Sequence, residues 1–440
     1  AGLLANYIYS GHDGQIIENV TVNGSLTIKD IENTENHIRV GGIVGQTIIP
    51  IKNCTNNATI TLDGYSTDKA LSVGGIAGYI DQEGADVIGC SNTGNIVVKN
   101  SSASGEFRAA GIVGYINEPA DILNCTNNGS VSVAGITSNQ FISGIVGGKL
   151  KSIAVTISDC VNGEGGDVTL SGLAHNSAMY MAGVIAGCAG GGPTSVLNCK
   201  NYGDITNDCE GGNNSSTSSP ALSTGGIVGR VTDGRISVVS CENHGNITNN
   251  CPATNDANPG IRLGGIIGYA HQVLDSNSNN ANYGDVKNTA SSAMHINIGG
   301  VIGYIQAGHT ISNCLNQGTI SNSGEAVEDI SVGGIIGRSN RNVTLIKCSN
   351  GADGSETLGT ITNTGMSSTT APNTQIGGLV GFSSKDGSTY KVTMNASGEE
   401  RNINYGPVSD VSASAYPAVG GIVGFINSYH KDIIITGTPF

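Results

Sequence analysis

Tryptophan is absent from this 440-residue chain, and charged residues make up only 12% of it, about half of ordinary usage. No run of 18 apolar residues occurs, so no segment has the length that a membrane-spanning helix needs. Clusters of Lys and Arg are missing too, and the net charge is -14, which disfavours nucleic acid or an anionic membrane as partner. No stretch keeps a 3.6-residue apolar period over three turns, so helices are not expected. Glycine, by contrast, is abundant at 67 residues, about twice its usual share. The apolar residues are mostly Val and Ile, which suit pleated strands, whereas the many Asn, Ser and Thr favour turns. Spread evenly at 38%, the apolar residues can fill a core along the whole length, which argues against disorder.

The pattern repeats. The glycine that precedes the apolar pair of a GGxxG-like turn recurs at Gly2, Gly42, Gly75, Gly111, Gly144, Gly183, Gly226, Gly265, Gly300, Gly334, Gly378 and Gly421, at intervals of 33 to 44 residues. Each complete copy has three parts in fixed order. A strand with paired glycines (RVGGIVG, LSVGGIAG, IRLGGIIG) is followed by a strand closing on Cys-x-Asn (IKNCTN, ILNCTN, VLNCKN), and a turn then leads into a short third strand (GNIVVKN, GDITND, GTISNS). Repeats of this length that cannot bury a face alone stack into a solenoid. The chain is therefore expected to be all-β: a right-handed, three-sided parallel β-helix forming one domain over 1–440. It would have about 12 coils, beginning near 1, 40, 73, 109, 142, 181, 224, 263, 298, 332, 376 and 419. At roughly 4.8 Å per stacked strand it would be a rod on the order of 55 Å long. The opening AGLLA falls inside the repeat pattern, which reads as a mature or trimmed fragment.

Eight of the eleven cysteines share one register: Cys54, Cys90, Cys125, Cys160, Cys199, Cys241, Cys314 and Cys348. Val20, and by alignment Asn280 and Asn402, stand there in other copies. One thiol per coil without a histidine beside it is not a metal-site spacing, and a position that also accepts Val reads as a small buried hydrophobe. Two residues further on come Asn56, Asn92, Asn127, Asn162, Asn201, Asn243, Asn282, Asn316, Asn350 and Asn404. Asn tolerates the left-handed backbone conformation, and its amide can bond the next Asn above, so a ladder is expected. Cys209 and Cys251 follow ITND and ITNN at equal register in adjacent copies, which places them within disulfide reach. Cys188 has no obvious partner.

The VGGIVG, VGGIAG and IGGLVG cores, each with a C-x-N-x-G-x-I segment, resemble the GLUG-motif repeats of bacterial surface proteins, and the resemblance spans essentially the whole chain. It implies a secreted or cell-surface, adhesin-like module without catalytic residues. Related repeats accompany the zinc protease domain of IgA-specific metalloendopeptidases, but no His here is followed by Glu, so the HExxH zinc helix is absent.

Catalysis has one candidate region. Aligning YIDQEGADVIGC with YINEPADILNC on the cysteine stacks Asp86 on Asp121 and Glu83 on Glu118, with Asp81 nearby. Carboxylates about 5 Å apart suit a polysaccharide lyase or hydrolase, or a Ca2+ site, whereas a plain reading is a solvated acidic corner. The histidines, at 12, 37, 175, 244, 271, 295, 309 and 430, share no register and read as exposed loop residues. The glycine turn lacks the GK[ST] ending and the following helix of a phosphate loop. Tyr79, Tyr115, Tyr269, Tyr304, Phe382 and Phe425 pair on adjacent copies, as cross-strand packing or as a sugar platform. No cofactor is implied. Glycans or host-surface proteins are the expected partners, met by the variable loops and above all by residues 207 to 221; a spacer that binds nothing is the bland alternative.

Overall fold

In a computed structural model the chain is a parallel β-solenoid. It describes residues 1–8, 14–30, 32–33, 36–103, 105–135, 138–149, 152–174, 178–212, 222–232, 234–253, 260–271, 274–355, 358–368, 373–383, 392–395, 401–414, 417–426 and 434–436. The coil starting at Leu71 shows the plan: strands at Leu71–Gly74, Ala77–Ile80, Val87–Ile88, Ser91–Asn92 and Ile96–Lys99. Each strand pairs, parallel and in register, with its counterparts in the coils above and below; Leu71 lies opposite Ile38 and Phe107, and Val73 opposite Val40 and Ala109.

Five long sheets result, not the expected three sides. The second and third in coil order hold 12 strands each, and the first, fourth and fifth hold 11. A short extra sheet joins Glu32–Asn33, Ser66–Thr67 and Ser102–Ala103. Two of the expected strands are each broken in two, for local reasons. The glycine strand bends at its Gly-Gly pair. The Cys strand breaks at the residue just before the cysteine, which takes the left-handed conformation in coil after coil: Asn53 at φ 51°, Asp159 at φ 55° and Lys347 at φ 54°. The left-handed residue is therefore not the ladder Asn, as its residue type alone would imply, because the ladder Asn is a strand residue.

Those Asn side chains point inward. Asn56 Nδ2 donates to Asn92 Oδ1 at 2.7 Å, Asn92 to Asn127 at 2.8 Å, and the chain of amides continues through Asn162, Asn201, Asn243, Asn282, Asn316 and Asn350 to Asn404. The second amide hydrogen closes the following turn, as from Asn92 to Gly94 O at 2.9 Å. The amide packs against the second glycine of the pair. A Cβ on Gly75 would stand 2.0 Å from the Gly111 carbonyl oxygen of the next coil and 2.5 Å from Asn92 Cγ, too close for any side chain, so the glycine lets both the stacked backbone and the amide approach.

This contact pinches each coil into two lobes. One core cluster fills the space between the second, third and fourth sheets, with Ile43, Ile51, Val87 and the cysteine row. The other lies between the first and fifth sheets, with Val40, Ile60, Leu62 and Ile96. A second amide ladder runs along the fifth sheet, from Asn207 through Asn249, Asn288 and Asn322 to Asn363. No helix is long and apolar enough to cross a membrane among the described residues.

Candidate functional site

The cysteine row lies in the larger lobe, fully buried. It does more than fill space. Beside the left-handed break the thiol adds a bond to strand carbonyls: Cys125 Sγ lies 3.4 Å from Val87 O and 3.3 Å from Leu123 O, and Leu123 O also accepts the Gly89 amide of the neighbouring coil at 2.9 Å. Where Asn replaces Cys, its amide does the same. Asn280 Nδ2 donates to Val238 O at 2.8 Å while its Oδ1 accepts from Cys241 N, and Asn402 bridges Leu345 O and Cys348 N in the same way. In the copies that carry Cys or Asn the position therefore also supplies a hydrogen-bond donor, which a hydrophobe reading does not include, whereas Val20 fills it without one. Burial pushes the Cys54 thiol above its ordinary value. Cys188, buried opposite the equally buried Lys149 in the second sheet, is pushed up to about 11 by burial. Cys209 and Cys251 are disulfide-bonded across adjacent coils, with Cα atoms 4.8 Å apart.

The acidic corner is spent on structure. Asp86 Oδ1 accepts the Asp121 amide at 2.9 Å, and Asp121 Oδ1 accepts the Thr156 amide at 2.9 Å. Asp81 takes the side-chain amides of Gln46 and Asn117, both at 2.7 Å, and Asn117 also reaches Glu118 at 3.4 Å. Glu83 stands exposed. Burial raises Asp86, and the Asp121 carboxylate adds to the shift against the opposing amide bond. The five carboxylates do not converge on one point. Among the described residues the one group whose donor atoms do is His295, Glu328 and Asp329. There Arg338 Nη1 already lies 3.0 Å from Asp329 and 3.3 Å from the His295 ring, supplying the positive charge a metal would bring.

The histidines are less uniform than loop residues would be. His309 is buried and His295 half-buried, whereas His244 is stacked between the Tyr202 and Tyr283 rings at 4.6 Å on both sides. His12, His175 and His430 lie outside the described residues, as do residues 213–221 of the expected recognition loop.

The surface feature with a ligand-like composition is one that the repeat pattern hides. Outward residues of the first and second sheets face each other across the glycine bend and form a notch along the stacking direction. The tyrosines and phenylalanines of the second sheet pair there, Tyr79 with Tyr115 at 5.2 Å, Tyr269 with Tyr304 at 5.3 Å and Phe382 with Phe425 at 5.8 Å. Five of the chain's eight arginines enter the same notch. Arg39 lies 3.8 Å from the Tyr79 ring, Arg108 4.0 Å from Tyr115, Arg230 4.6 Å from Tyr180, and Arg338 4.8 Å from Phe382. Arg262 sits between Tyr269 and Tyr304 at 4.7 and 5.1 Å. In the middle of the notch Gly148 and Gly187 stand where other coils carry rings, and Phe141 and Tyr180 of the first sheet fill that space with Ala178 and Ala186.

Architecture and notch define a β-solenoid with an arginine- and aromatic-lined external groove. Comparison with family models, with curated proteins and with solved structures finds no match.

Proposed function

We propose that this chain is a non-enzymatic β-solenoid of a bacterial surface or secreted protein, an adhesin-like or stalk module of the GLUG-repeat kind that holds glycan or protein partners. One observation carries the reading: the side chains that could have done chemistry are committed to bonding one coil to the next. Asp86 and Asp121 accept main-chain amides, and the thiols are sealed in the core and bonded to carbonyls. A polysaccharide lyase or hydrolase at the acidic corner would need a carboxylate free to take up or release a proton at the substrate, and these two point along the stack instead.

A screen of the purified chain against immobilised glycans and host-surface proteins, run beside an assay for cleavage of the same glycans, tests the proposal. Retention of a ligand without turnover is expected. Turnover that disappears in Asp121→Asn would refute it in favour of the enzyme, and no retention at all would leave only a spacer.

A further inference from the structure

The notch sets cations inside a protein whose net charge is -14. Its arginines are costly to place there, since a desolvated guanidinium loses hydration that only hydrogen-bonded, opposite charge restores. Arg108 touches Glu106, and Arg338 has Asp329. Arg262 has neither: it is 4% exposed, its Nε and Nη1 have no hydrogen-bond partner, and no ion pair reaches it among the described residues. Burial lowers its pKa, and the two tyrosine rings are its compensation. The Nε atoms of Arg39 and Arg108 are likewise buried and unpaired. A cation–π contact contributes about 0.5–2 kcal/mol, less than a buried guanidinium forgoes, so the row is built to accept an acidic group that is not part of the chain.

One stretch has room for it. Ser72 separates Arg39 from Arg108 in the first sheet, and its short side chain leaves a cavity of about 190 Å³ bounded by both arginines and by the rings of Tyr79 and Tyr115. Two guanidinium groups and one carboxylate, that of Glu106 beside Arg108, border the cavity, so cations outnumber anions there. His37 at the rim has its pKa lowered by burial and then by Arg39, Arg108 and Lys69.

We propose that the notch binds a linear acidic polysaccharide lying along the stack, with a carboxylate or sulfate of one sugar seated between Arg39 and Arg108. This rests on the binding-module reading above and names its ligand class. The geometry favours a sugar chain over an acidic peptide. Both walls of the notch are sheet faces, whose main-chain groups already bond coil to coil, so no free strand edge is offered to a peptide backbone. Aromatic faces and arginine forks are instead what sugar C–H faces and acid groups meet.

The test measures binding of the whole chain to a polyuronate, a sulfated polysaccharide, a neutral polysaccharide and polyglutamate, at low and high salt. Wild type is compared with Arg39→Ala, Arg108→Ala and Ser72→Gln, the last of which fills the cavity without altering charge. Circular dichroism and the melting temperature confirm that each variant is folded. Salt-sensitive binding of one or both acidic polysaccharides is expected, weakened at least tenfold by each substitution. The uronate and sulfate arms tell which acid is seated. Equal binding of the neutral polymer or of polyglutamate overturns the proposal. So does acidic-polymer binding that all three variants retain, although the binding-module reading then survives at another site. No binding to any probe overturns the proposal, and the broad glycan and protein screen then decides the module reading separately.

Discussion

Replacing Asn201 by Ala removes one rung from the middle of the inner amide ladder. In the intact chain Asn162 Nδ2 donates to Asn201 Oδ1 at 2.7 Å, and Asn201 Nδ2 donates to Gly203 O at 2.9 Å and to Asn243 Oδ1 at 2.7 Å. The substitution orphans the Asn162 amide hydrogen, the Gly203 carbonyl and the Asn243 oxygen, all out of reach of water. A buried group left without its partner costs about 1–3 kcal/mol, so three would cost about 3–9 kcal/mol, and relaxation of the neighbouring amides should keep the loss in the lower part of that range, about 3–6 kcal/mol. In a solenoid each coil contacts only its neighbours, so the loss should stay local. Native-state hydrogen exchange reads this directly. The amides of Lys200, Tyr202 and Glu242, which bond across these coils, should lose about 10²- to 10⁴-fold protection, while that of Ile361 keeps its own. The control is Asn57→Ala, whose amide bonds Asn23 in solvent at 2.9 Å and whose removal should change protection by less than about threefold. If Asn201→Ala disturbs exchange no more than Asn57→Ala does, the ladder is not what holds the two lobes together.

Gly75→Ala should destabilise by at least about 2 kcal/mol in urea unfolding, because its Cβ has no space between the Gly111 carbonyl and the Asn92 amide and relieving the clash means shifting stacked backbone or breaking ladder bonds; a neutral result would show that the pinch is loose. Cys160→Val should cost no more than about 1.5 kcal/mol, since Val20 fills the same register, the added methyl is small and only a weak thiol bond is lost, and the eight row thiols should resist a thiol reagent until the chain is unfolded. Reducing Cys209–Cys251, whose separation is 42 residues, should lower stability by about 4 kcal/mol on the chain-entropy account, as read by melting with and without reductant. Asp329 is held below the usual carboxylate range: burial opposes its charge, but His295 and Arg338 outweigh that. A carboxyl depressed on folding contributes stability above its unfolded pKa of about 4, and that contribution fades as pH falls through the lower folded value. Asp329→Asn should therefore flatten the acid side of the pH–stability curve, and an unchanged slope would remove Asp329 from the account.

The parallel stack and its registers were legible because they rest on periodic residues, namely the glycine pair, the Cys row and the inner Asn row. What escaped the sequence is what varies at constant geometry. The left-handed break before each cysteine is filled by Asn, Gly, Asp, Ser or Lys, so no single residue type signals that a strand divides there. The second Asn ladder lies in ITND, ITNN and TISN, within the expected third strand, where nothing in the residue types shows that the Asn side chain turns inward. The notch was hidden for a different reason. Arg39 and Arg108 sit on alternate coils of one sheet, and Arg230 and Arg338 come from the other, so no register collects them until the glycine bend turns the two faces toward each other. The acidic corner shows the converse, because Asp86 and Asp121 lie on adjacent coils as the alignment implied. Stacking alone does not show that their lone pairs are spent on the next coil's amides.

The disulfide also bears on how the rod answers a pull. Tension between the two ends would peel it from either tip, one coil's row of hydrogen bonds at a time, each release paying out the thread of that coil. At Cys209 and Cys251 the thread is closed on itself across 42 residues, so a length of about 150 Å cannot be paid out while the bond stands. The rod therefore carries an internal stop that sets how far it can lengthen under load, and reduction would release it.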